Sequence, residues 1–326
     1  MLDLERGEQM KADAPSATAY LIATSTLFVA ADPQAGHLIP ARAVELSAAF
    51  VAARSRIARR ALRELRHRRA RPFVSALERL TIPGIQLHYA LRKLYLEETL
   101  RAALSEGIRQ VVIFGAGYDT LALRLHETFP DTQFIETDHP ATQRRKTHAL
   151  AAARACGELD SRAPRQPTPN LHFLPLDLTR QQLAATLSTF DAYRASARTL
   201  FIAEGLLMYL SPTEVSNLFQ TIRECGGVGS RIAFTFMEPQ ADGRVNFRTR
   251  SRVVDAWLSR RGELFKWGIE RAALPCYLSA RGFRLREIAT DETFRRRYLE
   301  PRALANLPLA SGEYACVADL DERDVS

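Results

Sequence analysis

Cysteine is scarce in this chain, and the scarcity removes several function classes at once. The 326 residues hold four, Cys156, Cys225, Cys276 and Cys316. No two form a C-x-x-C pair and none has histidine at metal-ligand spacing, so neither a structural zinc site nor a disulfide framework organises the fold. No metal is expected. Acidic charge is also short: 45 Lys and Arg face 37 Asp and Glu, for a net charge of +8. A long apolar run is missing too. Ala14 to Ala31 is uncharged, but Ser16, Thr18, Thr24, Ser25 and Thr26 make it too polar for a membrane span. The four acids and two bases of residues 1–13 have the wrong sign for a signal peptide. The stretch is expected to be a helix packed on the domain of a cytoplasmic protein with no membrane partner.

What is present is an ordinary globular composition, 46% hydrophobic and 25% charged, in a chain long enough to bury a large core. The basic excess gathers at Arg54 to Arg71, where nine arginines face one acid, Glu64. Such a run is either a solvated helix face or a basic rim that attracts an anionic substrate. Nucleic acid is a third reading, but these arginines lack the interleaved aromatics that stack on bases.

The first hundred residues read as helices at 16–30, 41–70 and 88–105, broken by Pro72, Pro83 and Gly84. From residue 108 the pattern changes. Apolar runs at 110–114, 132–137, 171–174, 199–203 and 231–237 read as strands, with helical spacing between them. Pro212 suits the first position of a helix ending at Cys225. Residues 242–270 read as an insertion. A helix over 272–281 and two strands, 283–288 and 313–318, close the chain. This alternation predicts an α/β fold with a mainly parallel sheet, helices on both faces and ligands at the carboxyl ends of the strands.

The residues just beyond those strands carry the candidate chemistry. Gly115-Ala-Gly117 follows the first strand, and paired glycines let backbone approach a ligand closely. Thr120 stands where a dinucleotide fingerprint would have a third glycine. A plain turn is the alternative. Asp138 lies 21 residues beyond Gly117, after Glu136, and a carboxylate there can accept from both hydroxyls of a ribose; it could instead cap the next helix. Asp177, with Leu178 beside it, could accept an adenine amino group or cap a helix. Glu204 leaves a buried strand and needs a cationic partner. Tyr209 lines the reaction pocket or belongs to the core. A nicotinamide-dependent dehydrogenase is the enzymatic rival, and Thr120 and the Glu204 segment argue against it.

Three ordered segments, Gln110-Val-Val-Ile-Phe-Gly-Ala-Gly-Tyr-Asp-Thr120, Phe134-Ile-Glu-Thr-Asp-His-Pro140 and Glu204-Gly-Leu-Leu-Met-Tyr-Leu210, resemble the leucine carboxyl methyltransferase family. The likeness runs from about Ala17 to Val317 and is nearest the bacterial branch, which includes polyketide-tailoring O-methyltransferases. It implies a Rossmann-like class I methyltransferase fold with a seven-stranded sheet and S-adenosyl-L-methionine as cofactor. It further implies that Arg92 binds the cofactor carboxylate, with Lys93 or Arg101 as substitutes. Gly115 and Gly117 would lie against the methionine portion, Asp138 would hold the ribose, Asp177 and Leu178 the adenine, and Glu204 the amino group. Residues 1–105 are read as N-terminal helices and a lid, and residues 106–326 as the cofactor-binding core. The expected acceptor is a small molecule, anionic in charge. The absence of a histidine at a strand end, other than His139, favours a carboxylate acceptor over a hydroxyl, because a carboxylate needs no general base.

Overall fold

The computed structural model describes residues 16–54, 76, 78–157, 159, 168–178, 183–248 and 265–321. Two helices, α1 (Ala17–Ala30) and α2 (Ala41–Arg54), come first, and α3 (Ile85–Ser105) leads into the sheet. The segment then alternates: β1 (Gln110–Phe114), α4 (Leu121–Leu125), β2 (Gln133–Asp138), α5 (Pro140–Ala155), β3 (Leu171–Pro175), α6 (Leu183–Ser188), β4 (Thr199–Ala203), α7 (Pro212–Cys225) and β5 (Arg231–Met237). After it come α8 (Leu274–Ser279), β6 (Phe283–Ala289), α9 (Asp291–Phe294) and β7 (Glu313–Leu320).

The seven strands form one sheet in the order β3-β2-β1-β4-β5-β7-β6. β1 to β5 run parallel, and β7 lies antiparallel between β5 and β6. β1, β4 and β5 are buried throughout, as central parallel strands covered on both faces must be. The strand order reverses between β1 and β4, so the crevice for a ligand lies beyond their carboxyl ends.

Local chemistry explains most element ends. Ser211 and Glu214 form a reciprocal capping box on α7, with Pro212 in the first turn. Gly84 takes a left-handed conformation, φ 76°, against the backbone of Pro308, and so sets the start of α3. α4 is short and ends at Leu125. The Asn170 amide donates to the carbonyls of His126, Phe129 and Thr132 and draws that segment into turns. The helix expected over 41–70 is seen as far as Arg54; the rest of the arginine run lies outside the described residues, as does 249–264 of the expected insertion.

One apolar cluster joins Val29, Leu46 and Phe50 of the first two helices to Leu91, Tyr95 and Leu100 of α3 and to Val111 and Ile113 of β1. From Ala17 to Ala30 the uncharged stretch is therefore packed helix, with Leu27, Phe28 and Val29 buried. No helix among the described residues is long and apolar enough to cross a membrane. All four cysteines are free, Cys225 and Cys316 in the interior.

Candidate active site

A cavity of about 170 Å³ opens where β1, β2 and β4 end. Arg92, Gly115, Gly117, Asp138, Glu204 and Tyr209 all line it, so the structure brings together six of the residues selected from sequence. Asp177 and Leu178 do not line it. They lie just past β3, half-buried, with Asp177 Oδ2 3.8 Å from His139 Nε2. α1 borders the cavity with Ala19 and Ile22, and its N-cap Ser16 joins them.

The glycine loop has the shape that its glycines require. Gly115 and Gly117 have φ of 62° and 50°, which side-chain-bearing residues rarely adopt. A Cβ on Gly115 would stand 2.9 Å from Leu206 Cδ1, and one on Gly117 3.1 Å from Ala19 Cβ. Asp138 accepts a hydrogen bond from the Gly117 N–H, which ties the loop to the end of β2. Burial raises the Asp138 carboxyl, against the lowering effect of the N–H groups of Gly117 and His139. The cap of α5 is His139, whose Nδ1 accepts from Ala141 N at 3.3 Å, and Asp138 is thereby left to the loop.

The other end of the cavity holds a chain of buried charges. Arg92 Nη1 donates to both oxygens of Glu313 at 2.6 and 2.7 Å, and its Nε donates to Glu204 Oε1 at 2.9 Å. Lys93 Nζ donates to Glu204 Oε2 at 3.0 Å and to Asp119 Oδ2 at 2.8 Å. His88 Nε2 lies 3.0 Å from Glu313 Oε2, one of the two oxygens that Arg92 grips. Burial alone would push the Glu313 carboxyl up, but Arg92 and His88 outweigh it and bring it down to about 2. Burial likewise works against Asp119, and Lys93 and Lys146 hold its carboxyl below the ordinary range. At Glu204 burial prevails and the carboxyl is raised, although Lys93 and Arg92 oppose it. Gly205, φ 59°, leaves room for the Arg92 guanidinium, since a Cβ would stand 3.3 Å from Nη2.

Sequence reasoning gave Glu204 a cationic partner and Arg92 an anionic one, both from a ligand. In this structure they also partner each other. Arg101, the other substitute for Arg92, pairs with Glu97 and does not line the cavity. Asp119, His88 and Glu313 were missed. The signal for His88 was its i, i+4 spacing from Arg92, which stacks the two on one face of α3. Glu313 carried no local signal, because it meets Arg92 only through the return of β7. Glu136 was noted as an acid beside Asp138. It is fully buried and pairs with Lys146 at 2.6 Å, under the cavity but outside its lining.

A doubly wound sheet with this cavity is the frame of a nucleoside-binding enzyme. The family model described as leucine carboxyl methyltransferase matches residues 17–223. A candidate S-adenosyl-L-methionine-dependent methyltransferase of Parafrankia sp. (strain EAN1pec) is 31% identical over 224 residues, covering 68% of this chain and 66% of that protein. Another from Mycobacteroides abscessus is 32% identical over 228 residues, covering 65% and 68%. The chain thus spans about two thirds of the length of these relatives. A crystal structure of a candidate methyltransferase from Thermobifida fusca superposes with a TM-score of 0.50 at 16% identity, over 78% of this chain and 89% of that one, and shares the fold. The chain belongs to the leucine carboxyl methyltransferase family, whose cofactor is S-adenosyl-L-methionine.

The residues present fit that cofactor. The two glycines leave a cradle that Cβ atoms would fill, Asp138 offers a carboxylate at one end of the cavity, and the other end offers both acids and bases, the chemistry that a nucleoside bearing an amino-acid head calls for.

Proposed function

We propose that this protein transfers a methyl group from S-adenosylmethionine to a carboxylate oxygen of a small-molecule acid, giving a methyl ester and S-adenosylhomocysteine. The observation that carries this reading is the lining of the cavity. Among its described residues there is no histidine, and Arg92, Lys93, Asp119 and Glu204 are all held in ion pairs. Asp138, the remaining acid of the lining, is tied to the glycine loop and taken up by the ribose, and a site so arranged suits an acceptor that is already ionised at neutral pH.

The cofactor supplies a methyl group activated on a sulfonium. The protein's part is to bind, orient and exclude water. Gly115 and Gly117 bring backbone against the methionine portion, and Asp138 accepts from the ribose hydroxyls. Asp177 and Leu178, just past β3, hold the adenine, and Glu204, oriented by Arg92, holds the ammonium of the amino-acid head. Tyr209, packed edge-on against Phe265 with ring centroids 5.4 Å apart, forms the wall on the acceptor side. α1 and α2 act as a lid, which keeps water from the methyl group. Positioning of this kind is worth about 7–11 kcal/mol. The C–O bond forms as the S–C bond breaks, and no proton moves.

The test is transfer of isotopically labelled methyl from S-adenosylmethionine to a panel of carboxylic acids and phenols. Base-labile label in volatile methanol after mild hydrolysis is the expected result. Label retained in base-stable ethers would replace the carboxylate reading by methylation of a metabolite hydroxyl. In that second reading the Tyr209 phenol is the polar group nearest the acceptor, and Tyr209→Phe would lower kcat. For a carboxylate acceptor, Tyr209→Phe is expected to change KM for the acid and leave kcat within about threefold.

A further inference from the structure

Both cations at the head of the cavity are engaged by carboxylates, but they differ in their freedom to let go. Arg92 is 2% exposed, with Glu313 gripping one end of its guanidinium through both oxygens and Glu204 the other. Lys93 has a single ammonium on a flexible stem, and its side chain is 24% exposed. It lines the cofactor cavity and also a smaller neighbouring cavity of about 30 Å³ below α1, and so stands in the partition between them. Its Nζ bridges Asp119 and Glu204 at 2.8 and 3.0 Å. That is the position an α-ammonium group would take to be held by the same two acids.

We propose that Lys93 is an internal stand-in for the cofactor's ammonium group and exchanges partners when cofactor binds. The proposal rests on the methyltransferase reading above and goes beyond it. Lys93 yields its place between Asp119 and Glu204 to the incoming ammonium and turns its own ammonium to the cofactor's carboxylate. Two acids and one base become two acids and two bases plus one more carboxylate, so each charge keeps an opposite partner throughout. Arg92 stays fixed between Glu313 and Glu204 and orients the acid that receives the ammonium. Recognition is thereby restricted to a ligand that carries both charges. An ammonium alone displaces Lys93 and offers it nothing, and a carboxylate alone cannot draw Lys93 from its two acids.

The experiment is calorimetric titration of the wild-type protein with three ligands that share the nucleoside. S-adenosylhomocysteine carries both charges, S-adenosyl-3-thiopropylamine the ammonium only, and 5′-methylthioadenosine neither. In the wild type the second and third are expected to bind within about threefold of each other, because one ammonium merely replaces another. S-adenosylhomocysteine is expected to bind at least about tenfold more tightly than either, the scale of one charge-assisted hydrogen bond. In Lys93→Met the acids lack their stand-in. The thiopropylamine ligand should then tighten by about tenfold, S-adenosylhomocysteine should weaken by a similar factor, and 5′-methylthioadenosine should not move. A wild type that gains tenfold from the ammonium alone overturns the exchange, whether or not the variant folds. So does a Lys93→Met protein in which all three ligands shift together, which is the mark of a purely structural lysine. Absence of binding by all three ligands to the wild type overturns the methyltransferase reading as well.

Discussion

Replacing Glu313 by glutamine removes one negative charge from the interior and leaves the shape of the side chain. The carboxylate it replaces is fully buried and accepts two short hydrogen bonds from Arg92 and one from His88. Two routes give the size of the effect. Removing one member of a buried ion pair costs about 3–5 kcal/mol, because the other charge is stranded. Independently, a carboxyl lowered from 4.5 to about 2 in the folded protein contributes about 3 kcal/mol at pH 7. The sign follows from the lowered value. The unfolded chain takes up the proton first as pH falls, so the contribution is complete above pH 4.5 and is lost on the way down to about pH 2. By pH 3 roughly 1.4 kcal/mol should remain. Urea unfolding of wild type and Glu313→Gln at pH 7 and pH 3 measures both numbers. The gap should be about 3 kcal/mol at pH 7 and about half that at pH 3. A gap below about 1 kcal/mol at pH 7, or one that does not narrow with acid, refutes the claim that Arg92 is anchored through Glu313.

Three further outcomes follow from the same structure. Asp138→Ala removes the acceptor assigned to the ribose diol and should weaken S-adenosylhomocysteine binding by about ten- to hundredfold in a calorimetric titration, while Asp177→Ala, outside the cavity lining, should cost less than about tenfold. Gly117→Ala puts a Cβ 3.1 Å from Ala19 at a φ of 50°; it should cost about 1–2 kcal/mol of stability by urea unfolding and weaken cofactor binding as α1 is pushed outward. Lys146→Met leaves the fully buried Glu136 without its partner; burial already raises that carboxyl to about 7, so it takes up a proton and the cost should be about 1–3 kcal/mol, most of it recovered in the Glu136→Leu, Lys146→Met double variant; a single variant as stable as the wild type would contradict the pairing.

The fold was legible where the sequence carries its own punctuation. The apolar runs of β1, β4 and β5 are buried on both sides and bounded by turns, and each was found within a residue or so of its observed position. α7 announced itself through Pro212 and the glycines after Cys225. The gathering of Gly115, Gly117, Asp138 and Glu204 about one cavity was legible for the same reason, because each stands at the end of a strand that the sequence marks. The charge chain was not. Glu313 reaches Arg92 across 221 positions of sequence, and only the antiparallel pairing of β7 with β5 brings it there. The short α4 was also hidden, since its end is set by Asn170, more than forty residues away. Arg92 was assigned a ligand carboxylate by family resemblance, and the structure shows that two protein carboxylates already use its fork.

The central claim is that acids and glycines at the ends of β1, β2 and β4 form one binding site for an S-adenosyl nucleoside. Calorimetric titration of the purified protein with S-adenosylhomocysteine, with NAD as the comparison, tests it most directly. The account predicts saturable one-to-one heat with S-adenosylhomocysteine and none with NAD. Heat with NAD, or none with S-adenosylhomocysteine, would contradict it.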